Sequence, residues 1–492
     1  MFEVAEVGQR VSKPDYEMRQ ATLRAALLKA QYALLAKPDF PVLLVIGGVD
    51  GAGKGETVNL LNEWMDPRYI VTRAFGALSD DELQHPPMWR YWQALPPKGR
   101  IGILFGSWYT DPIIDHVLHH TRSTRFYLEL DQIRQFEAML VADGVRIVKL
   151  WLHLSKDAQQ ERLAALEADP LTRWRVTGQE RLHFNAYDDF RAVSAKALRD
   201  TTTTVAPWHI IDGADANHRS LAAGELLLAA LTRPARASAQ PSRPQGGQPL
   251  PRNVLAELDY SQTLDSATSR RELVRLHRKL ALLTRTAKFH TRSLIIVFEG
   301  NDAAGKGNSI RHITTALDAR HYDIIPVSAP NEEERRQPYL WRFWRHLPKR
   351  GRVTIFDRSW YGRVLVERVE GLCAPADWQR AYDEINCFEG QLASNGSIVL
   401  KFWLAITSDE QQRRFFEREN TPHKAHKITP EDWRNREKWS FYEEATCAMV
   451  EHTSTKTAPW YLIPSNDKHH ARITMLQIIC DRLEAVLGVI ED

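Results

Sequence analysis

Leu294-Ile295-Ile296-Val297-Phe298-Glu299-Gly300-Asn301-Asp302-Ala303-Ala304-Gly305-Lys306-Gly307 is the stretch whose reading decides the fold. The apolar run Leu294 to Phe298 reads as a buried strand, and a helical pattern runs from about Lys306 to Leu317. Between them, Gly300-x4-Gly305-Lys306 has the P-loop spacing. Glycines let backbone N–H groups converge on phosphate oxygens, the helix N-terminus adds partial positive charge, and Lys306 adds a full one. Gly300, Asn301, Ala303, Ala304, Gly305 and Gly307 are therefore the candidate phosphate cradle. The Ser or Thr that usually follows the lysine is Gly307, so the usual Mg²⁺ hydroxyl is missing. The loop instead carries Asp302. An anion inside a phosphate cradle is costly unless a cation lies between, so Asp302 reads as a metal ligand or as a base toward the attacking group, with a loop-capping carboxylate as the plain alternative.

The same loop occurs 252 positions earlier, as Gly48-Val49-Asp50-Gly51-Ala52-Gly53-Lys54-Gly55. At that single offset Trp92 matches Trp344, Pro96 matches Pro348 and Gly99 matches Gly351. Ser107-Trp108-Tyr109 matches Ser359-Trp360-Tyr361, Gln159 matches Gln411, and Ala206-Pro207-Trp208 matches Ala458-Pro459-Trp460. The chain is a tandem duplication, and both copies should share one fold. The seam at 234–252 is rich in Pro, Gly, Gln, Ser and Arg without apolar periodicity, and reads as a linker between domains 1–233 and 253–492. The second copy opens with two helical patterns over 266–289, and further strands are read at Val353–Phe356, Ile398–Leu404 and Trp460–Ile463. A charged helix is read at about Ser408 to Glu419. Short buried strands alternating with helices predict α/β domains with parallel sheets.

A second carboxylate, Asp357, ends the Val353–Phe356 strand, where P-loop folds place a Mg²⁺-holding Asp. Arg358 follows and could reach a transferring phosphoryl group. The stretch 413–438 carries eight cations (Arg413, Arg414, Arg418, Lys424, Lys427, Arg434, Arg436 and Lys438) against five acids. Pro422 and Pro430 break it into helix, loop and helix. Such a run can be a solvated helix face, but late in a P-loop domain it reads as a lid over polyanions.

The copies differ where the chemistry lies. Lys306 and Asp302 keep their partners Lys54 and Asp50, whereas Asp357 aligns with Phe105 and Arg358 with Gly106. Arg413, Arg418, Lys424, Arg436 and Lys438 align with Glu161, Leu166, Thr172, Phe184 and Ala186. A phenylalanine cannot bind Mg²⁺, so the second copy is expected to carry the chemistry and the first to be a degenerate, inactive partner.

The 492 residues are 43% hydrophobic and 26% charged, which excludes global disorder. A net charge of +3 does not argue for nucleic acid. No apolar run of transmembrane length and no signal peptide are read, and the four cysteines form no C-x-x-C pair. A cytoplasmic protein with reduced thiols and no membrane partner is expected. From the residues alone, an ATP-dependent nucleotide or nucleoside kinase and a non-catalytic polyanion-binding protein both remain open.

Phe298 to Gly307, then Phe356-Asp357-Arg358-Ser359-Trp360-Tyr361, then Thr421-Pro422-x-Lys424-x-x-Lys427-Ile428-Thr429-Pro430-Glu431-Asp432-Trp433, resemble the second polyphosphate kinase family. The fused architecture resembles its class II members, the polyphosphate:AMP phosphotransferases. His426 departs from the Trp or Tyr that many members carry in the lid. The resemblance implies thymidylate-kinase-like, three-layer P-loop domains with helical lids, and an active C-terminal copy. It implies transfer of the terminal polyphosphate phosphoryl group to AMP, giving ADP, with Mg²⁺ or alternatively Mn²⁺. A polyphosphate donor needs a basic channel, for which Arg342, Arg345, Lys349, Arg350, Arg358 and Arg363 are candidates beside the lid cations. In the expected mechanism Lys306 and the loop bind phosphates, Asp302 and Asp357 hold the metal, and Arg358, Arg414 and Arg418 offset transition-state charge. Tryptophans 341 and 344 read as packing residues. A homo-oligomer is compatible with this architecture.

The divergence of the copies makes a direct prediction. Lys306→Ala should lower turnover by about 10²–10³ or more, while Lys54→Ala leaves it nearly unchanged. Steady-state rates of the two variants decide it, and equal losses would overturn the assignment.

Overall fold

The computed structural model describes residues 1–234, 252–421, 428 and 430–488. Apart from its two ends, the sequence-read linker lies outside the described residues, as do Lys424, His426 and Lys427. The described chain forms two compact units, each built on a five-stranded sheet. The first sheet contains β1 (Val42–Gly48), β2 (Ile70–Ala74), β3 (Ile101–Phe105), β4 (Arg146–His153) and β5 (Trp208–Asp212), in the order β2-β3-β1-β4-β5. The second contains β6 (Ser293–Gly300), β7 (Tyr322–Pro326), β8 (Val353–Asp357), β9 (Ser397–Ala405) and β10 (Trp460–Pro464). Its order, β7-β8-β6-β9-β10, is the same arrangement. All pairings are parallel, so each unit is an α/β domain. The first unit also takes in Pro330–Arg342, and the second takes in Ser79–Trp89.

The central strand β6 explains the apolar run. Leu294, Ile296 and Phe298 join a core with the helices Ser266–Leu283, Lys306–Ala316 and Lys468–Leu487. Ile295 and Val297 alternate to the other face and are equally buried. A strand covered on both faces reads as continuous hydrophobicity rather than alternation.

Strands β6, β8, β9 and β10 match the expected segments to within two residues. β7 was not expected: it pairs only with β8, and most of its residues are partly or fully exposed, so no apolar run marks it. The two helical patterns over 266–289 are one helix, Ser266–Leu283, and the remainder includes a 3₁₀ turn, Phe289–Thr291. The basic stretch holds the helices Ser408–Glu419 and Pro430–Glu437. Proline at the first position of the latter loses no helical hydrogen bond.

A buried ion pair ties the second unit together. Lys401 Nζ, on β9, lies 2.7 Å from Glu389 Oε2, and both side chains are essentially inaccessible. Lys401 also donates to the Tyr361 hydroxyl (2.8 Å) and Thr453 O (2.7 Å). Glu389 Oε1 accepts from Trp360 Nε1 (3.0 Å) and the Tyr361 hydroxyl (2.7 Å). The first unit repeats it with Lys149, Glu137, Tyr109, Trp108 and Thr201. This network accounts for the duplicated Ser-Trp-Tyr. Burial pushes the Glu389 carboxyl up and the Lys401 ammonium down, so each depends on the other to stay charged.

Removing one partner strands the other charge in the core. Lys401→Met should destabilise the second unit by about 3–5 kcal/mol, read as a lowered urea midpoint. The Glu389→Gln/Lys401→Met double variant should lose less than Lys401→Met alone.

Candidate functional site

The site lies at the carboxyl ends of β6 and β8, where open parallel sheets place their ligands. Gly300 ends β6 with φ +141°, and a Cβ there would stand 2.3 Å from Leu404 O, so only glycine lets the loop leave beside β9. Asn301 pins that departure: its N–H donates to Leu404 O (3.2 Å) and its Oδ1 accepts from Ile406 N (3.1 Å). The expected cradle residue Asn301 thus turns its side chain to β9. Lys306 Nζ donates to Gly300 O (2.7 Å) and Asn301 O (3.2 Å), closing the loop on itself.

Asp302 is held from three sides. Arg358 Nη2 donates to Oδ1 (3.2 Å), Asn435 Nδ2 to Oδ2 (3.0 Å), and Gln411 Nε2 to its carbonyl (3.1 Å). Burial pushes the Asp302 carboxyl up. The charge of Lys306, the Asn435 hydrogen bond and the charges of Arg358 and Arg418 outweigh it and hold the group below the usual carboxylate range. Burial, joined by the charge of Arg358, lowers the Lys306 ammonium more than Asp302, Asp357 and Glu299 raise it. Arg358 goes the other way, raised by Asp302, Glu299 and Asp357 against burial. Burial also raises Glu299, which accepts from Ser359 Oγ (2.9 Å).

Asp302, Lys306, Asp357, Arg358, Arg414 and Arg418 line one cavity of about 600 Å³ with Ala303, Ala304, Gly305 and Gly307. Arg414 acts as a brace: its guanidinium donates to Ala303 O (2.9 Å), Ala304 O (3.1 Å), Ser465 O (2.6 Å) and Asn466 O (2.9 Å). Charge alone mark the arginine in the sequence, whereas four carbonyls from two loops define what it does. Arg342, beside Glu334 (3.5 Å), Arg345, on the surface, and Arg363, paired with Glu367 (2.6 Å), do not line this cavity. Sequence reading missed Arg311, Lys468 and Arg472, which do. Their one signal is position: Lys468 opens its helix, and Arg311 and Arg472 lie a turn or so into the helices that begin at Lys306 and Lys468.

The first unit handles the equivalent loop differently. Lys54 is tied to Asp50 Oδ1 (3.0 Å) and Gly48 O (2.8 Å), and His183 Nδ1 stands 2.8 Å from Asp50 Oδ2. Glu56, in the first turn of the helix Lys54–Trp64, pairs with Arg219 (2.9 Å) and Arg162 (2.8 Å). Arg219 also donates to Gly213 O (2.8 Å), and its guanidinium stands 2.2 Å from where a Gly53 Cβ would be. Asn308 and Ala471 occupy the matching positions of the second repeat. The first repeat thus places its own carboxylate and arginine across the loop.

The model of the polyphosphate kinase 2 family matches residues 10–238 and 263–487, one copy in each repeat. The chain belongs to this family. It is 51% identical over 490 residues, 99% of either chain, to the polyphosphate:AMP phosphotransferase of Pseudomonas aeruginosa. It is 38% identical over 476 residues to that of Acinetobacter johnsonii, covering 95% of this chain and 97% of the other. A crystal structure of a Pseudomonas aeruginosa polyphosphate kinase 2 matches with a TM-score of 0.91 and 48% identity over the full length of both chains. Two α/β units in tandem are therefore the architecture of this family member, and the solved relative matches it over its full length.

Arg414 generates a separate prediction. Arg414→Met leaves four carbonyls, three of them buried, without this donor and should cost about 3 kcal/mol or more in urea unfolding. Arg418→Met, on the more accessible turn of the same helix, should unfold within about 0.5 kcal/mol of wild type.

Proposed function

We propose that the chain transfers the terminal phosphoryl group of inorganic polyphosphate to AMP, giving ADP, and that the second repeat does the chemistry. The observation that carries this reading is the convergence of two carboxylates, Asp302 and Asp357, with Lys306 and Arg358 on one cavity. In the first repeat Phe105 and Gly106 replace one carboxylate and the arginine, and Glu56 with Arg219 lies across the loop. The names of the full-length relatives support the same donor and acceptor.

The donor is a polyanion with no base to recognise, so its affinity comes from the cations of the cavity. Arg311, Arg418, Lys468 and Arg472 extend the positive lining beyond the loop. An AMP phosphate oxygen attacks the terminal phosphorus in line, and the bond from that phosphorus to its bridging oxygen breaks. The electron pair leaves on the shortened polyphosphate. A phosphate oxygen is already ionised near neutral pH, so no general base is required. This favours Asp302 as a metal ligand over a proton acceptor. Charge spreads over the equatorial oxygens, where Lys306 and Arg358 offset it, and positioning rather than covalent catalysis supplies the rate.

Two hard carboxylate oxygen donors on one cavity fit Mg²⁺, which binds few protein ligands and completes its shell with phosphate oxygens and water. Mn²⁺ has the same preference for oxygen. Asp302 and Asp357 would hold the ion, which supplies charge neutralisation between the reacting phosphates. Asn435, on the helix Pro430–Glu437, joins the lid to Asp302 and so ties lid position to the loop. The reading includes a cytoplasmic setting; no helix among the described residues is long and apolar enough to cross a membrane.

Incubation with AMP, long-chain polyphosphate and Mg²⁺, without ATP, should yield ADP by chromatography. Asp357→Asn should lower that rate by about 10³. No ADP from polyphosphate, with turnover appearing only when ATP is supplied, would replace this reading by an ATP-dependent nucleotide kinase.

A further inference from the structure

Comparison of the repeats separates two kinds of buried charge in the second unit. The pair Glu389 and Lys401 recurs as Glu137 and Lys149, so it belongs to the fold. Glu299 does not recur. It is 6% exposed, next to last in β6, and the matching residue of the first repeat is Gly47. A carboxylate is costly to bury, and a fold that closes without one does not need it. Its absence from the first repeat accompanies the absence of Asp357 and Arg358, replaced there by Phe105 and Gly106. Glu299 therefore goes with the site.

Its contacts show how it acts. Ser359 has one hydroxyl proton, which goes to Glu299 Oε1 (2.9 Å), while the serine oxygen accepts from Tyr361 N (3.2 Å). The bond ties the end of β6 to the turn that carries Asp357 and Arg358. Arg358 N also donates to Phe298 O (3.0 Å), so two adjacent residues of β6 hold this turn, one by its backbone and one by its side chain. The turn needs support, because Arg358 stands at φ +63°. The first repeat holds its own turn locally: Ser107 N donates to Thr110 Oγ1 (3.0 Å), where the second repeat has Gly362. That turn has glycine at the strained position and is closed without a carboxylate.

We propose that Glu299 is a positioning residue for phosphoryl transfer: as the acceptor for Ser359, it sets the turn that aims Asp357 and Arg358 into the cavity. The inference rests on the reaction proposed above. Asp357 and Arg358 line the cavity and Glu299 acts on them through Ser359. Substrate affinity then depends little on it. Rate depends strongly, since a misaimed group fails where charge develops.

The test is a double-mutant cycle on the full chain, read as ADP formation from polyphosphate and AMP. Glu299→Met fills a similar volume without an acceptor and should lower kcat by about 10–100-fold, with the KM for AMP within about twofold of wild type. Glu299→Gln keeps an acceptor oxygen for Ser359 and should hold kcat within about threefold. Ser359→Ala should also lower kcat, and Glu299→Met/Ser359→Ala should be no more than about twofold slower than the slower single variant. Hydrogen exchange reads the turn without turnover. Amides of Arg358–Gly362 should exchange about tenfold faster in Glu299→Met and near the wild-type rate in Glu299→Gln. A Gln variant as slow as the Met variant, additive losses, a raised KM with kcat unchanged, or unchanged exchange would overturn the proposal. Wild type that uses ATP and not polyphosphate would sink the reaction reading, and the same cycle run with ATP would still decide the role of Glu299.

Discussion

The turn that carries Asp357 and Arg358 in the second unit depends on a lysine and a glutamate held out of water. Lys401 and Glu389 meet at 2.7 Å in the core, on β9 and on the helix Pro375–Ser394. The desolvation of two charges cancels much of their attraction, so the pair specifies geometry more than it stabilises. What it specifies is the turn after β8. Trp360 and Tyr361 both bond to Glu389, while Ser359 bonds to buried Glu299 at the end of β6. Asp357 and Arg358 are therefore fixed from before by the strand register and from after by the ion pair. Groups that stabilise developing charge need such fixing in advance, because reorientation during the reaction would consume the energy they supply.

The two repeats separate scaffold from chemistry. Lys149 and Glu137 reproduce the buried pair with nearly the same distances, and Trp108 and Tyr109 close on it in the same way. Gln159 holds the loop carbonyl of Asp50 as Gln411 holds that of Asp302. Several groups that face the cavity diverge instead. A glutamate at the start of the helix Lys54–Trp64 puts a negative charge near the helix dipole's positive end, where a phosphate group would otherwise sit. Arg219, where the second repeat has Ala471, then pairs with that carboxylate. Such a loop is stable without ligand, whereas the loop of the second unit keeps its cavity lined by cations.

Much of this was legible in the chain because it depends on local spacing or on one long offset. The loop, the strand ending in Asp357, and the loss of Asp and Arg at Phe105 and Gly106 all stand in the sequence, and the structure brings Asp302, Lys306, Asp357 and Arg358 together. What stayed hidden involves distance or orientation. β7 carries no apolar pattern because its residues are largely exposed at a sheet edge. Arg342, Arg345 and Arg363 stand out in the sequence by charge alone, yet a cation's position depends on the partners the fold supplies, such as Glu334 and Glu367. Lys468 and Arg472 come from a helix that only the fold brings beside the loop, while Arg311 lies in the helix the loop itself opens. Asn435 was hidden for the same reason: 133 residues separate it from Asp302.

Backbone geometry shows where side-chain identity outweighed conformational ease. Arg358 has φ +63°, and the matching Gly106 has φ +72°. Ala303 and Gly51 form a second such pair, at +66° and +81°. The left-handed region costs a non-glycine residue about 1–2 kcal/mol, so glycine is the unstrained choice at each position. The exchange also runs in reverse, since His119 at +59° matches Gly371 at +66°. The turn shape therefore belongs to the fold and was kept in both repeats whichever residue occupied it. What differs at the first pair is that the second repeat accepts the strain to place a guanidinium 3.2 Å from Asp302, while the first repeat, with Phe105 in place of Asp357, relaxes to glycine. The arginine stands there for its charge, because the backbone alone would favour its absence.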